Sequence, residues 1–277
     1  MSVSNLFIKQ QKLLTLLSEY LQNGLCLALS GGVDSGLLAG IVSKLIWKRH
    51  IAKPCQFYAV TFQTPLYAQD EIIAAQELCN RLNINHIVLD INMSKMPKSL
   101  FNNPKDRCFI CKKAMFNNVI KFSKEKKLNT IIDGTNFDDL SVYRPGKKAL
   151  EELGIKSPLA ECGFTKAEIR NYAKKLKLYS IASKPSAPCF ATRLPYGAFL
   201  DIDLLQKIAA CEKFLHSLKF SECRLRFHNP VIRIEIPEKD FSAFLKHKTQ
   251  IISVIKNKGF KYITLDIEGL RSGSMDI

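Results

Sequence analysis

Two stretches of this 277-residue chain carry residue types and spacings suited to chemistry. The first is Ser30-Gly31-Gly32-Val33-Asp34-Ser35, between the apolar runs Leu25-Cys26-Leu27-Ala28-Leu29 and Gly36-Leu37-Leu38-Ala39-Gly40-Ile41-Val42. That order reads as strand, phosphate loop, helix. Adjacent glycines let backbone N–H groups turn inward as an anion nest, and Ser35 adds a hydroxyl at the positive end of the following helix. The loop has no Walker lysine, so it is not expected to handle a β/γ-phosphate pair as a P-loop kinase does. Asp34 would repel a bare phosphate and is read as a magnesium partner. An ordinary glycine-rich turn is the plainer alternative.

The second stretch is a set of thiols. Cys108 and Cys111 precede a helix at a two-residue gap, and Cys189 stands in a loop with Pro185, Pro188 and Pro195. Two cysteines do not complete a tetrahedral zinc site, whereas three thiolates suit a four-iron cluster with one open iron. A half-formed zinc site, or packing at a helix start, are the alternatives. Cys26, Cys55, Cys79, Cys162, Cys211 and Cys223 lie in apolar segments and are expected in the core. Arg224 and Arg226 alternate within a predicted strand, so both leave one face and would clamp a phosphate or meet water. Arg144 in the turn Tyr143-Arg144-Pro145-Gly146 is a candidate substrate contact, with solvent as its plain alternative. Asp138 and Asp139 would hold magnesium or cap a helix, and the histidines show no ligand spacing.

These residues need a scaffold. Strands are predicted at 25–29, 56–62, 86–91 and 130–134, and helices at 70–82 and 112–127. This alternation implies an α/β fold with a doubly wound, mostly parallel sheet whose ligands gather beyond the carboxyl ends of the strands. Thr165-Lys166-Ala167-Glu168 has capping-box spacing before a helix at 169–177. From about residue 198 the pattern is helix 203–218, strand 223–227, strand 231–236, helix 239–258 and strand 262–267. The expected organisation is therefore a domain over 1–197 and a smaller C-terminal α/β domain over 198–277.

Composition bounds the rest. With 47% hydrophobic residues the chain can bury a large core, and no segment approaches the length of a membrane span. No signal-like leader precedes the nine cysteines, so a cytoplasmic location with reduced thiols is expected and a disulfide framework is not. The net charge of +16 suits an anionic partner, but many lysines lie in solvated helical stretches.

The glycine loop resembles the PP-loop of ATP pyrophosphatases, which split ATP between the α- and β-phosphates. Taken in order with Asp133-Gly134-Thr135-Asn136-Phe137-Asp138-Asp139, Tyr143-Arg144-Pro145-Gly146, Lys184-Pro185-Ser186, Cys189, Ala191-Thr192-Arg193, Pro195-Tyr196-Gly197 and the tail 269–275, it resembles the LarE family nearly end to end. The resemblance implies an ATP-dependent sulfur transferase of nickel-pincer nucleotide cofactor biosynthesis. Such enzymes adenylate carboxylates of pyridinium-3,5-biscarboxylic acid mononucleotide with ATP and Mg²⁺, then replace AMP with sulfur. Ser30, Gly31, Gly32, Asp34 and Ser35 would bind ATP and magnesium. Arg193, Arg224, Arg226 and Glu212 match positions near the nucleotide substrate. Cys108, Cys111 and Cys189 match the family's [4Fe-4S] type, whereas a lone cysteine matching Cys189 would give up its own sulfur. A homo-oligomer is implied, and the sulfide donor is not.

A PP-loop tRNA thiolation enzyme with a cluster is the competing reading. No RNA-binding module is evident and the tail differs, so nucleic acid is not expected as a partner. A non-enzymatic nucleotide-binding module would leave the cysteines unexplained.

Overall fold

A computed structural model gives the fold and describes residues 3–49, 56–141, 145–271 and 273–275. Tyr143, Arg144, Cys55 and Ser272 lie outside the described residues. The chain divides into two compact units. The first comprises residues 1–64, 69–97 and 106–186, and the second 65–68, 98–105 and 187–277. The second unit thus starts at Ala187 rather than at 198, and it also draws in two short threads from earlier in the chain.

In the first unit the elements run α1 (Val3–Gln22), β1 (Leu25–Ala28), α2 (Val33–Arg49), β2 (Phe57–Gln63), α3 (Gln69–Leu82) and β3 (Asn85–Asp90). Then come α4 (Arg107–Glu125), β4 (Thr130–Ile132), α5 (Pro145–Glu152), α6 (Pro158–Glu161), α7 (Lys166–Lys175) and α8 (Tyr179–Ala182). The four strands form an all-parallel sheet in the order β3-β2-β1-β4. Period-two side chains explain the double winding. Leu25 and Leu27 of β1 enter a cluster with Leu13 and Leu17 of α1, Leu37 and Leu38 of α2, Leu78 of α3 and Ile169 of α7. Cys26, between them, faces the other way, into a cluster with Val119 of α4 and Leu128. The fold class expected from the sequence is therefore the fold observed.

Strand order reverses between β1 and β4, and in open α/β sheets a ligand crevice forms at such a switch point. The loops after those two strands are Ser30–Gly32 and 133–139, the segments with chemical character. Helix α7 begins with the expected capping box: the Thr165 side chain accepts the Glu168 N–H, and the Glu168 carboxylate accepts the Thr165 N–H. Helix α1 was not foreseen.

The second unit holds α9 (Ile202–Ser217), β5 (Arg224–His228), β6 (Val231–Glu235), α10 (Phe241–Lys246), α11 (Lys248–Asn257) and β7 (Tyr262–Leu265). Strands β5 and β6 pair antiparallel and β6 and β7 parallel, in the order β5-β6-β7. The single helix expected over 239–258 is broken at His247, which caps α10 and opens α11. Leu225, Ile232 and Ile234 are buried on one sheet face, and the alternating positions Arg224, Arg226, Arg233 and Glu235 occupy the other.

Candidate active site

In the first unit the PP-loop is built by close backbone approach. Gly31 sits at φ +77°, and a Cβ there would lie 2.3 Å from the Glu71 carbonyl oxygen. A Cβ on Gly134, at the end of β4, would lie 2.8 Å from the Ser35 nitrogen. Both positions need glycine: at Gly31 a side chain would drive the loop after β1 off the start of α3, and at Gly134 it would force the loops after β1 and β4 apart. The Ser35 hydroxyl accepts the Ser30 N–H at 3.1 Å and meets the Ser30 hydroxyl at 3.1 Å, which closes the loop on itself. Behind it, the Thr61 hydroxyl donates to the Leu29 carbonyl at 2.8 Å and therefore accepts from His86 Nε2 at 2.8 Å. Burial pushes the His86 pKa down, so this ring is a neutral donor at pH 7.

Asp34, in the first turn of α2, is ion-paired through Oδ2 with the Lys166 ammonium, and Asn136 Nδ2 approaches Oδ1 at 3.5 Å. The Lys166 backbone N–H donates to Asp138 Oδ2 at 2.8 Å, while Asn136 and Asp139 exchange reciprocal bonds at 3.2 Å. Asp138 and Asp139 thus brace this turn and the start of α7. Lys166 is the charged neighbour of Asp34 that sequence reasoning missed, because the two lie 132 residues apart. Lys184 adds a second clasp, bonding the Gly31 carbonyl at 3.2 Å and Glu71 at 2.8 Å.

In the second unit, Cys189 opens a short 3-10 turn, Phe190–Arg193, and its sulfur accepts the Ala191 N–H at 3.4 Å. Arg193 and Glu212 form a bidentate pair at 2.7 and 2.8 Å, and each is 3% exposed. Glu212 Oε1 also accepts the Leu225 N–H at 2.8 Å. Arg226 spends its donors on Glu235 at 3.1 Å, the Thr192 carbonyl at 2.8 Å and the Ser274 hydroxyl at 3.3 Å. Ser274 and Arg233 complete the shell around the fully buried Glu235, at 2.7 and 2.9 Å. Arg224 is half-buried and donates to the Cys223 carbonyl at 2.6 Å. Burial, with the Arg193 charge added, pulls the Arg224 pKa down; for Arg226 burial outweighs the support of Glu235. Both stay charged, because a guanidinium does not deprotonate in proteins. Arg233 also pairs with Asp266 at 3.7 Å, so three carboxylates face the four arginines and one positive charge is left over.

The thiols divide sharply. Among the described cysteines, Cys108 is exposed and Cys111 and Cys189 are half-exposed, while Cys26, Cys79, Cys162, Cys211 and Cys223 are buried. Burial pushes the Cys26 and Cys211 thiols up to about 11 and Cys79 to about 12, and raises Cys223 further, so these four stay protonated and inert. Cys108 and Cys111 start α4 in the first unit, and Cys189 belongs to the second. Among the described residues no group of three or more His, Cys, Asp or Glu side chains is gathered as metal ligands. Among the described residues no helix is long and apolar enough to cross a membrane.

A family model described as asparagine synthase matches residues 22–104, the stretch that contains the PP-loop. Pyridinium-3,5-bisthiocarboxylic acid mononucleotide synthase of Lactiplantibacillus plantarum is 32% identical over 251 residues, 90% of this chain and 87% of that protein. The chain belongs to the LarE family. An uncharacterized protein of Synechocystis sp. is also 32% identical, over 90% of this chain and 91% of its own length. The tRNA-specific 2-thiouridylase MnmA of Rickettsia bellii is 27% identical over 87% of this chain and 73% of its own, which sets LarE within the wider PP-loop group. As a LarE protein the chain is an ATP-using enzyme of the PP-loop group.

Proposed function

We propose that the protein is an ATP-dependent sulfur transferase that converts carboxylates of pyridinium-3,5-biscarboxylic acid mononucleotide to thiocarboxylates. The observation that carries this reading is the selective exposure of Cys108, Cys111 and Cys189 in a PP-loop enzyme whose other described cysteines are buried. In the first half-reaction a substrate carboxylate oxygen attacks the α-phosphorus of ATP. The bond from that phosphorus to the bridging oxygen breaks, pyrophosphate leaves and an acyl adenylate forms. The Ser30–Ser35 loop cradles the phosphates with backbone N–H groups, and Lys166 stands ready to meet charge on pyrophosphate. Asp34 would hold Mg²⁺, which when bound spreads the charge of the leaving group. In the second half-reaction sulfur adds to the acyl carbon and AMP departs with the electron pair of its bond.

The surplus charge of Arg193, Arg224 and Arg226 suits the phosphate and carboxylates of the nucleotide, with Glu212 aligning Arg193 and Arg144 as a further contact. The three thiols that are not buried fit a [4Fe-4S] cluster in number and softness, and a cluster so held would supply an iron-bound sulfide. We assign the chain to this type rather than to the one in which Cys189 gives up its own sulfur. A homo-oligomer in the cytoplasm, with no nucleic-acid partner, completes the proposal.

The test is pyrophosphate release with ATP and the pyridinium nucleotide, run beside tRNA. Release with the nucleotide alone supports the reading; release with tRNA transfers the chain to the thiolation class that MnmA represents. Protein made without oxygen should be brown with close to four irons per chain. A colourless, active chain left with dehydroalanine at Cys189 would show the sacrificial route instead.

A further inference from the structure

We infer that Asn103 is a positioning residue, which holds the loop from Cys189 to Gly197 in its working conformation through its side-chain amide. Cys189 and Arg193 belong to this loop, so the functional meaning of the inference rests on the reading given above. Pro188 just before the loop and Pro195 within it keep it from extending its short 3-10 turn into a helix or joining a sheet ladder, and the backbone groups left over need partners from elsewhere. Those partners come from two threads of the second unit that precede it by many residues. Leu66 offers its carbonyl to the Phe190 N–H at 2.8 Å, and Phe101 does the same for Leu200 at 2.7 Å. The Phe101 and Phe199 rings stack with centroids 6.1 Å apart.

Asn103 makes the central tie. Its Nδ2 donates to the Pro195 carbonyl at 2.8 Å and the Leu194 carbonyl at 3.3 Å, and its own carbonyl accepts the Gly197 N–H at 3.0 Å. Leu194 follows Arg193 directly, so these bonds set where the Arg193 guanidinium departs. Two further features mark the position. The residue is 0% exposed with its backbone at φ +46°, a left-handed conformation that among side-chain-bearing residues Asn adopts most readily. Its Oδ1 is buried without a hydrogen-bond partner, so the amide is present for its donors and bears an unpaired acceptor as the cost. Glycine would satisfy the backbone here but not the two carbonyls. Aspartate would set a carboxylate against both.

Asn103→Gly and Asn103→Ala, made in the full chain, test this through alkylation of Cys189 by iodoacetamide. Peptide mass spectrometry follows the rate, with Cys108 as the internal reference. Loss of both amide bonds should speed Cys189 labelling about tenfold relative to Cys108. MgATP affinity should hold within about twofold, while KM for the pyridinium nucleotide rises about tenfold and kcat for pyrophosphate release changes little. Asn103→Gly relieves the left-handed backbone and should keep the wild-type fold; Asn103→Ala should also melt lower. Wild-type Cys189 labelling and KM in a folded Asn103→Gly protein would overturn the inference. Because labelling needs no substrate, faster labelling in a protein that makes no thiocarboxylate upholds the role of Asn103 and refutes the assigned reaction instead.

Discussion

Replacing Glu212 by alanine is the sharpest test of how the second unit is held. The carboxylate balances the Arg193 charge through two short bonds and accepts the Leu225 N–H, all in a region that water does not reach. Removing one partner of such a pair costs about 3–5 kcal/mol, because the other charge stays buried without its counterion. The stranded Leu225 N–H adds about 1–3 kcal/mol, partly offset by water entering the space left. A loss of about 4 kcal/mol is expected, a large share of the 5–15 kcal/mol typical of a whole domain. With a urea slope of about 1–3 kcal/mol per molar, the midpoint for the second unit should fall by more than about 1 M. Hydrogen exchange at β5 amides reports on that unit specifically. The double variant Arg193→Met/Glu212→Leu should cost at least about 2 kcal/mol less than the sum of its singles, since neither charge is then stranded. A midpoint shift under about 0.5 M, or strict additivity, would refute the reasoning.

Asp34→Ala and Ser35→Ala should each abolish ATP-dependent pyrophosphate release with circular dichroism unchanged; normal release in both would remove the PP-loop from the mechanism. Arg224→Ala should weaken the pyridinium nucleotide by about 1.5–3 kcal/mol and leave MgATP affinity alone, measured by calorimetry. The converse pattern would reverse the assignment of the two sites. Glu168 gives an acid-limb test. Burial pushes its pKa up, but the Thr165 N–H, the Lys9 ammonium and the Thr165 hydroxyl outweigh that and hold it below the usual 4.5. A depressed pKa means stability present above 4.5 and lost as pH falls through the folded value. Glu168→Gln should therefore be less stable than wild type at pH 7, with the gap narrowing once pH drops below about 4.5. A gap independent of pH would show that charge on Glu168 contributes nothing.

Much of the first unit was legible in the sequence because its signals are local. A buried parallel strand reads as a short apolar run, and the glycine loop names its own turn. Helix α1 was legible too, since Leu13, Leu17 and Leu21 stand at helical spacing. What sequence could not supply were pairings across long separations, such as Lys166 with Asp34 and Ser274 with Arg226. Alternation put Arg224 and Arg226 on one face, yet nothing in it said that Thr192 and Ser274 would cover Arg226. Glu235 was within reach, since an antiparallel hairpin around 229–230 brings it opposite Arg224. The break at His247 left no proline or glycine signal.

The threading of the second unit shapes how the molecule can be made. Its parts are spread over residues 65–68, 98–105 and 187–277, so the chain passes between the two units five times. A nascent chain emerging from the ribosome therefore presents Leu66, Phe101 and Asn103 long before the loop they serve has been synthesised. These threads must stay available until residues 187–277 have been made. A fragment beginning at Ala187 would lack all three residues, and a split-protein pair cut at that point would have to reassemble through both threads at once. Cuts or insertions are better placed in the exposed tip near Gly259, far in sequence from any crossing.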